Sequence, residues 1–242
     1  MNRLDDSTRD IRVLLVDDQR LFREGVQVMV QAQPDMTVVG TAADGHEAVR
    51  LVDERRPDVV LMDIRMPGMD GVEATRQIFL PSPTTGLTRP LRVVVLTTFN
   101  LDDRAATAIR HGASGFLLKE ATPQQLCNAI RTVHAGHAVL APADLITLMQ
   151  QQVRPTTPAP AAFGALTDKE REVFVAVAQG LSNAEIARSV FAGESTVKTH
   201  VGSILRKLGL RDRVQVVVYA HEHGLVWRPE PPSSLPTFCT ER

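Results

Sequence analysis

The sequence predicts an α/β domain on a doubly wound, five-stranded parallel sheet, followed by a smaller all-α domain of four helices. Three observations predict this. Over roughly the first 150 residues, short β-branched runs alternate with helical patterns, the signature of successive βαβ units. Three of those runs, Val13-Leu-Leu-Val16, Val59-Val-Leu-Met62 and Val93-Val-Val-Leu96, are apolar throughout, so helices must cover both faces of the sheet. From Leu166 to Leu225 strand patterning ceases, and only helical periodicity remains, broken at Gly180, Gly193 and Gly209.

Taken in order, the strands are predicted at 11–16, 37–41, 58–62, 92–97 and 114–118, with helices opening near Leu21, Gly45, Gly71, Asp102 and Pro123. Thr122 before Pro123 makes a good helix start, because the hydroxyl caps and the proline occupies a position whose N–H has no partner. A short helix at 142–151 leads into 154–160, Arg-Pro-Thr-Thr-Pro-Ala-Pro, whose three prolines forbid helix and mark the domain seam. The expected division is an α/β domain at 10–138, a linker at 139–165, the helical domain at 166–228 and a disordered, proline-rich tail at 229–242.

In the helical domain, Thr167-Asp-Lys-Glu170 and Ser182-Asn-Ala-Glu185 are capping boxes. The first opens a helix with an apolar stripe at Val173, Phe174, Val177 and Ala178; the second opens a short helix carrying Ile186 and Val190. Phe191-Ala-Gly193 is the expected turn before a third helix from about Ser195, and two short helices joined by such a turn form a helix-turn-helix candidate. The last helix carries Val214, Val217, Val218 and His221 on one stripe, a face suited to core packing within the domain.

A chain of 242 residues with a formal charge of −1, 43% apolar and 4% aromatic residues, has the composition of a soluble globular protein and not of a generally basic nucleic-acid coat. Cys127 and Cys239 sit at no metal-ligand spacing and are expected as reduced thiols. The polar N-terminus lacks a signal-peptide stretch, and no window approaches the roughly 18 continuous apolar residues of a membrane span. The cytoplasm is the expected compartment.

In open parallel sheets the chemistry gathers at the carboxyl ends of the strands. Here those ends carry Asp17-Asp18, Asp63, Thr97 and Lys119. Paired acids at one strand end are often only solvated loop residues; charged or hydroxyl groups at four ends of one sheet are not. Three crowded carboxylates repel one another unless a cation neutralises them, and a hard oxygen-ligated ion such as Mg²⁺ suits that need. With a lysine and a hydroxyl beside them, they complete a phosphoryl site: Asp63 is the nucleophile, while metal and Lys119 offset charge on the phosphoryl oxygens.

On the third helix of the second domain, Val197, Val201, Ile204, Leu205 and Leu208 form one stripe, leaving Thr199, Gly202, Ser203 and Arg206 outward with Lys198 at the border. From Ser195 to Arg213, five basic side chains stand against one acid, a local surplus on a nearly neutral chain that suits a phosphate backbone.

Val16-Asp-Asp18, the run Leu61-Met-Asp-Ile-Arg-Met-Pro-Gly-Met-Asp-Gly71, Leu96-Thr97 and Gly115-Phe-Leu-Leu-Lys119 resemble the receiver signature of two-component response regulators, and span nearly the whole first domain. The resemblance implies a flavodoxin-like receiver in which Asp63 accepts phosphate from a sensor histidine kinase. It also implies Mg²⁺ held by Asp18, Asp63 and the Arg65 carbonyl with Asp17 assisting, Thr97 bonding the phosphoryl group, and Phe116 changing rotamer on activation. The second domain, through Leu166-Thr-Asp-Lys-Glu, Gly180-Leu-Ser-Asn-Ala-Glu-Ile-Ala, Ser195-Thr-Val-Lys-Thr-His-Val and Lys207-Leu-Gly-Leu-Arg-Asp-Arg, resembles the LuxR-type DNA-binding domain, and the whole resembles the NarL subfamily. That implies a phosphorylation-dependent transcriptional regulator, not an enzyme. Lys198 and Thr199 would reach the major groove of double-stranded DNA, with Ser203 on the same face, and Arg206, Lys207 and Arg213 would touch phosphates. The last helix would pair with its copy in a homodimer.

Three departures from the family pattern stand out, and two positions border the site. Residues 79–90 lengthen the connection before the fourth strand, and Glu120 replaces a common proline. Gly202 replaces a basic residue found in some members. Arg65 and Phe99, both bulky, are expected to hinder the water that hydrolyses the acyl phosphate. Two rivals are a metal-dependent phosphatase on a similar sheet, which needs a carboxylate where Arg65 stands, and a DNA-binding regulator whose receiver answers to a ligand or partner without phosphate.

Overall fold

The computed structural model describes residues 10–80, 91–98, 103–137, 139 and 160–225. The helix expected at 142–151, the proline run at 154–159, most of the long connection before the fourth strand, Phe99 and the tail at 229–242 lie outside the described residues. Five strands, β1 (Ile11–Val16), β2 (Met36–Ala42), β3 (Val59–Asp63), β4 (Arg92–Thr97) and β5 (Gly115–Leu118), form one sheet in the order β2-β1-β3-β4-β5. All pairs are parallel. The intervening helices are α1 (Arg20–Gln31), α2 (Gly45–Arg55), α3 (Gly71–Phe79), α4 (Asp103–Arg110) and α5 (Pro123–His134).

Each sheet face has its own core. Leu14, Val16, Val60, Met62, Val93 and Val95 pack under α2, α3 and α4; Val13, Leu15, Leu61, Val94 and Leu96 pack under α1 and α5. This is why three strands read as unbroken apolar runs: successive side chains alternate faces, and both faces are buried. Two strand limits differ from expectation in an informative way. Asp58 is not a strand residue; its side chain accepts from the Arg12 N–H at 2.9 Å and its own N–H donates to Arg12 O at 2.8 Å, tying the loop to β1. At the other end β3 runs on to include Asp63, paired opposite Leu96, so its side-chain direction is set by the sheet ladder.

Four helices make the second domain: α6 (Asp168–Ala178), α7 (Asn183–Ser189), α8 (Glu194–Leu208) and α9 (Arg213–Glu222), preceded by a 3₁₀ turn at Ala161–Ala165. Both capping boxes close, Thr167 with Glu170 and Ser182 with Glu185, and Thr122 forms a third with Gln125. Phe174, fully buried, meets Phe163 and Tyr219 edge-on at centroid distances of 5.1 and 6.1 Å. The turn between α7 and α8 falls at Phe191-Ala-Gly193, as expected. Gly193 is an ordinary extended N-cap (φ −79°), and Phe191 takes the left-handed conformation (φ 52°), with its ring 98% exposed.

The apolar stripe of α9 packs on the first domain, a surface the sequence did not name. Val214, Val217 and Val218 join the core that lies under α4 of the first domain. Gln215 Nε2 donates to the carbonyls of Ile109 (3.1 Å) and Ala113 (3.4 Å), and Ser114 Oγ donates to Asp212 Oδ2 (2.7 Å). The Arg211 guanidinium lies 3.7 Å from the Phe79 ring centroid, over Gly112, where a Cβ would strike it. Gly112 has φ 117°, so glycine is required there twice over.

Candidate functional site

The parallel register sets Asp63, Thr97 and Lys119 side by side: Asp63 opposite Leu96, Thr97 opposite Leu118, and Lys119 one residue beyond with its N–H donated to Thr97 O at 2.7 Å. Asp17 follows β1 on the other side of β3 and donates its N–H to Ala42 O. Lys119 Nζ then sits 2.8 Å from Asp63 Oδ2 and 2.7 Å from Asp17 Oδ2, all three side chains being nearly buried. Asp17 is fixed further by the Gln19 N–H on its Oδ1 (2.9 Å) and by Arg23, which donates to its carbonyl. Asp18 is exposed at the mouth.

Burial pushes the Asp63 carboxyl above its usual range, and Asp17 adds to the shift; Lys119 opposes both. For Lys119, burial favours the neutral amine, but the two carboxylates outweigh it and hold the ammonium. The pocket is thus anionic in excess, two acids at the lysine and a third at the rim. Carboxylate oxygens of Asp17, Asp18 and Asp63 lie within 4.8 Å of one another, the one such cluster among the described residues. An all-oxygen anionic set at this spacing fits a hard divalent cation.

The loop after β3 is pinned by Gly71 and Gly45, whose roles were not read from the sequence. A Cβ on Gly71 would lie 1.9 Å from Asp63 O, and one on Gly45 2.6 Å from Met69 O. The start of α3 therefore presses directly on the strand end, with the Gly71 N–H donated to Ile64 O (3.0 Å). Within the loop, Gly68 is left-handed (φ 74°), and the Arg65 N–H points to Asp63 Oδ1 at 3.3 Å. The Arg65 side chain is exposed. The bond before Glu120 is trans, as there is no cis peptide among the described residues. Thr97 is buried at the end of β4, and Phe116, half-buried on β5, packs on the core beneath α4.

In the second domain α8 presents Lys198, Thr199, Gly202 and Arg206 to solvent, with Ser203 half-buried beside them. Two further residues expected at phosphates are engaged within the domain. Lys207 Nζ bonds Glu170 Oε2 (2.6 Å) and Ala165 O (3.2 Å), and this pairing, with the Thr167 N–H, holds the Glu170 carboxyl down at about 2. Arg213 donates to Asn183 Oδ1 (3.0 Å) and to Leu181 O, clamping the start of α7.

Fold and site together define a class: an α/β domain with a lysine-paired aspartate at its sheet edge, docked on a helix-turn-helix domain. Comparison with known proteins gives the family. Residues 13–131 match the response regulator receiver domain, and residues 164–220 match the bacterial regulatory proteins of the luxR family. The chain is 41% identical over 218 residues to the transcriptional regulatory protein YxjL of Bacillus subtilis (strain 168), covering 89% of this chain and 97% of that one. It is 40% identical over 216 residues to LiaR of the same organism (89% and 99%), and 36% identical over 216 residues to the response regulator VraR of Staphylococcus aureus (89% and 99%). Among solved structures, a LuxR-family two-component response regulator from Aurantimonas sp. SI85-9A1 is 34% identical with a TM-score of 0.50, covering 59% of this chain and 97% of that one. The response regulator ChrA of a heme-sensing two-component system is also 34% identical, with a TM-score of 0.46, covering 90% and 99%.

The chain belongs to the NarL/LuxR-type two-component response regulators. It is a DNA-binding transcriptional regulator of a two-component system, from a family whose members are not enzymes. Among the described residues, no helix is long and apolar enough to cross a membrane.

Proposed function

We propose that Asp63 accepts a phosphoryl group from a sensor histidine kinase in the cytoplasm, and that the modified protein binds double-stranded DNA as a homodimer through α8. The observation that carries this reading is the buried Lys119–Asp63 contact of 2.8 Å inside a three-carboxylate cluster. An Asp63 oxygen forms the new bond to phosphorus as the bond to the donor imidazole breaks. The Lys119 ammonium, held charged by its two partners, offsets the charge on the transferring group. Asp17, Asp18, Asp63 and the Arg65 carbonyl would hold Mg²⁺, which supplies a further positive charge to the phosphoryl oxygens when bound. Support for a protein donor comes from the outer face of α1, which starts two residues after Asp18 and leaves Leu21 84% and Val28 69% exposed.

Phosphorylation adds close to two negative charges to an already anionic site. Thr97 turns toward the new oxygens and Phe116 rearranges with it, shifting α4, which follows β4 and carries α9. Release of α9 frees Val214, Val217, Val218 and His221 to pair with the same helix of a second copy. Two copies then present α8 to half-sites about one helical turn apart. Lys198, Thr199 and Ser203 face the bases and Arg206 a phosphate; Lys207 and Arg213 add phosphate contacts at the cost of their present partners. The bulk of Arg65 and Phe99, two residues after Asp63 and Thr97 respectively, slows water attack on the acyl phosphate. The test is DNA binding and sedimentation with and without acetyl phosphate and Mg²⁺. Wild type is expected to dimerise and gain DNA affinity, and Asp63→Asn to do neither; equal behaviour of the two would overturn the coupling.

A further inference from the structure

Gly202 is the ninth residue of a 15-residue helix. A helix-interior glycine is disfavoured relative to alanine because it loses more backbone freedom on folding. Some feature of the fold normally explains such a residue, and none does here. Its φ is not in the left-handed region, and a Cβ built on it meets no atom within 4 Å. It does not press on a strand end, as Gly71 does, nor lie beneath an arginine, as Gly112 does. The position is exposed, so the missing side chain leaves a notch open to solvent.

The location of the notch assigns it a use. Lys198, Gly202 and Arg206 stand four residues apart and form one ridge along the outer face of α8, both cations being exposed. Thr199 and Ser203, the flanking residues, are small. A duplex drawn in by the two cations therefore meets helix backbone at the centre of the ridge. The major groove is about 12 Å wide and an α-helix with its side chains about 10–12 Å across, so a single side chain decides how deep the helix settles.

From this juxtaposition we infer that Gly202 sets the depth of α8 in the major groove: the groove floor or wall approaches the helix backbone at this residue, and that approach brings Lys198 and Thr199 to base edges. Gly202 is a positioning residue for sequence reading, and the side chain it lacks is not a lost contact. The inference rests on α8 being the DNA-reading helix, and goes beyond it by assigning the glycine a specific function.

The experiment first selects duplexes from a randomised pool with the phosphorylated wild-type protein, then measures Gly202→Ala and Gly202→Lys on the selected duplex and on a mixed-sequence duplex. Gly202→Ala is expected to melt a few degrees higher than wild type, as removal of a helix-interior glycine should, while binding the selected duplex at least tenfold more weakly. Its affinity for the mixed-sequence duplex should stay within twofold, since the cations are untouched. Gly202→Lys should bind both duplexes alike, trading selectivity for charge. If Gly202→Ala binds the selected duplex within twofold of wild type, the inference is overturned. If wild type selects no sequence at all, the reading of α8 falls first, and that outcome is recognisable because it needs no variant.

Discussion

At the scale of single residues, the site is decided by how much charge a buried sheet edge tolerates. Asp63 is 4% exposed, and burial with Asp17 nearby raises its pKa despite Lys119. A carboxyl whose folded pKa is raised binds its proton more tightly in the native state, so stability is favoured below the ordinary range near 3.8 and lost as pH rises through the raised value. Asp63→Asn is therefore expected to melt higher than wild type at pH 7, with the difference vanishing in acid; differential scanning calorimetry across pH tests this, and a variant that is less stable at neutral pH would contradict it. By the same shift, phosphoryl acceptance should decline on acidification sooner than for an ordinary carboxylate. Asp17, Asp18, Asp63, Thr97 and Lys119 were legible in the sequence because each ends a strand, and parallel strands bring their ends together. The residues that hold them, Gln19 and Arg23 on Asp17, were not, because nothing in their spacing says which backbone group they will meet.

At the scale of elements, the start of α3 shapes the pocket loop. Gly71 lets the helix press on the Asp63 carbonyl, and a methyl group there would lie 1.9 Å from that oxygen. Gly71→Ala is expected to displace the strand end and slow phosphoryl acceptance at least tenfold, measured by the rate of acetyl-phosphate labelling; an unchanged rate would show the contact to be slack. The sequence shows a helix opening at Gly71, but not that the residue is pinned between backbones, since that depends on a packing distance. The α7–α8 turn teaches a related lesson. The run Phe191-Ala-Gly193 marked where the chain would turn; within it Gly193 is extended and Phe191 takes the positive φ. Local propensity marks that a turn exists more firmly than which residue bears its strain. Strand β3 was displaced by one residue for the same kind of reason: Asp58 is drawn to the Arg12 N–H and leaves the ladder.

At the scale of the whole molecule, α9 is the hinge of the account. Its valine stripe announced burial without naming the surface that covers it, because an apolar face is complementary to any other. Here the first domain supplies that surface. Asp212 caps α9 through the Gln215 N–H and also accepts from Ser114 Oγ, so one carboxylate joins helix and domain contact. Losing a buried hydrogen bond of this kind costs about 1–3 kcal/mol. The double variant Ser114→Ala, Gln215→Ala is expected to open the domains, seen as a larger radius of gyration in small-angle scattering, and to raise DNA affinity without phosphodonor; an unchanged radius would mean that the apolar contact alone holds α9. All of this depends on one chemical event. The most direct test is intact and peptide mass spectrometry after incubation with acetyl phosphate, with and without Mg²⁺. One phosphoryl group located on Asp63, formed with Mg²⁺ and absent in its chelated control and in Asp63→Asn, is the expected result. Labelling on another residue, or none with Mg²⁺ present, would contradict it.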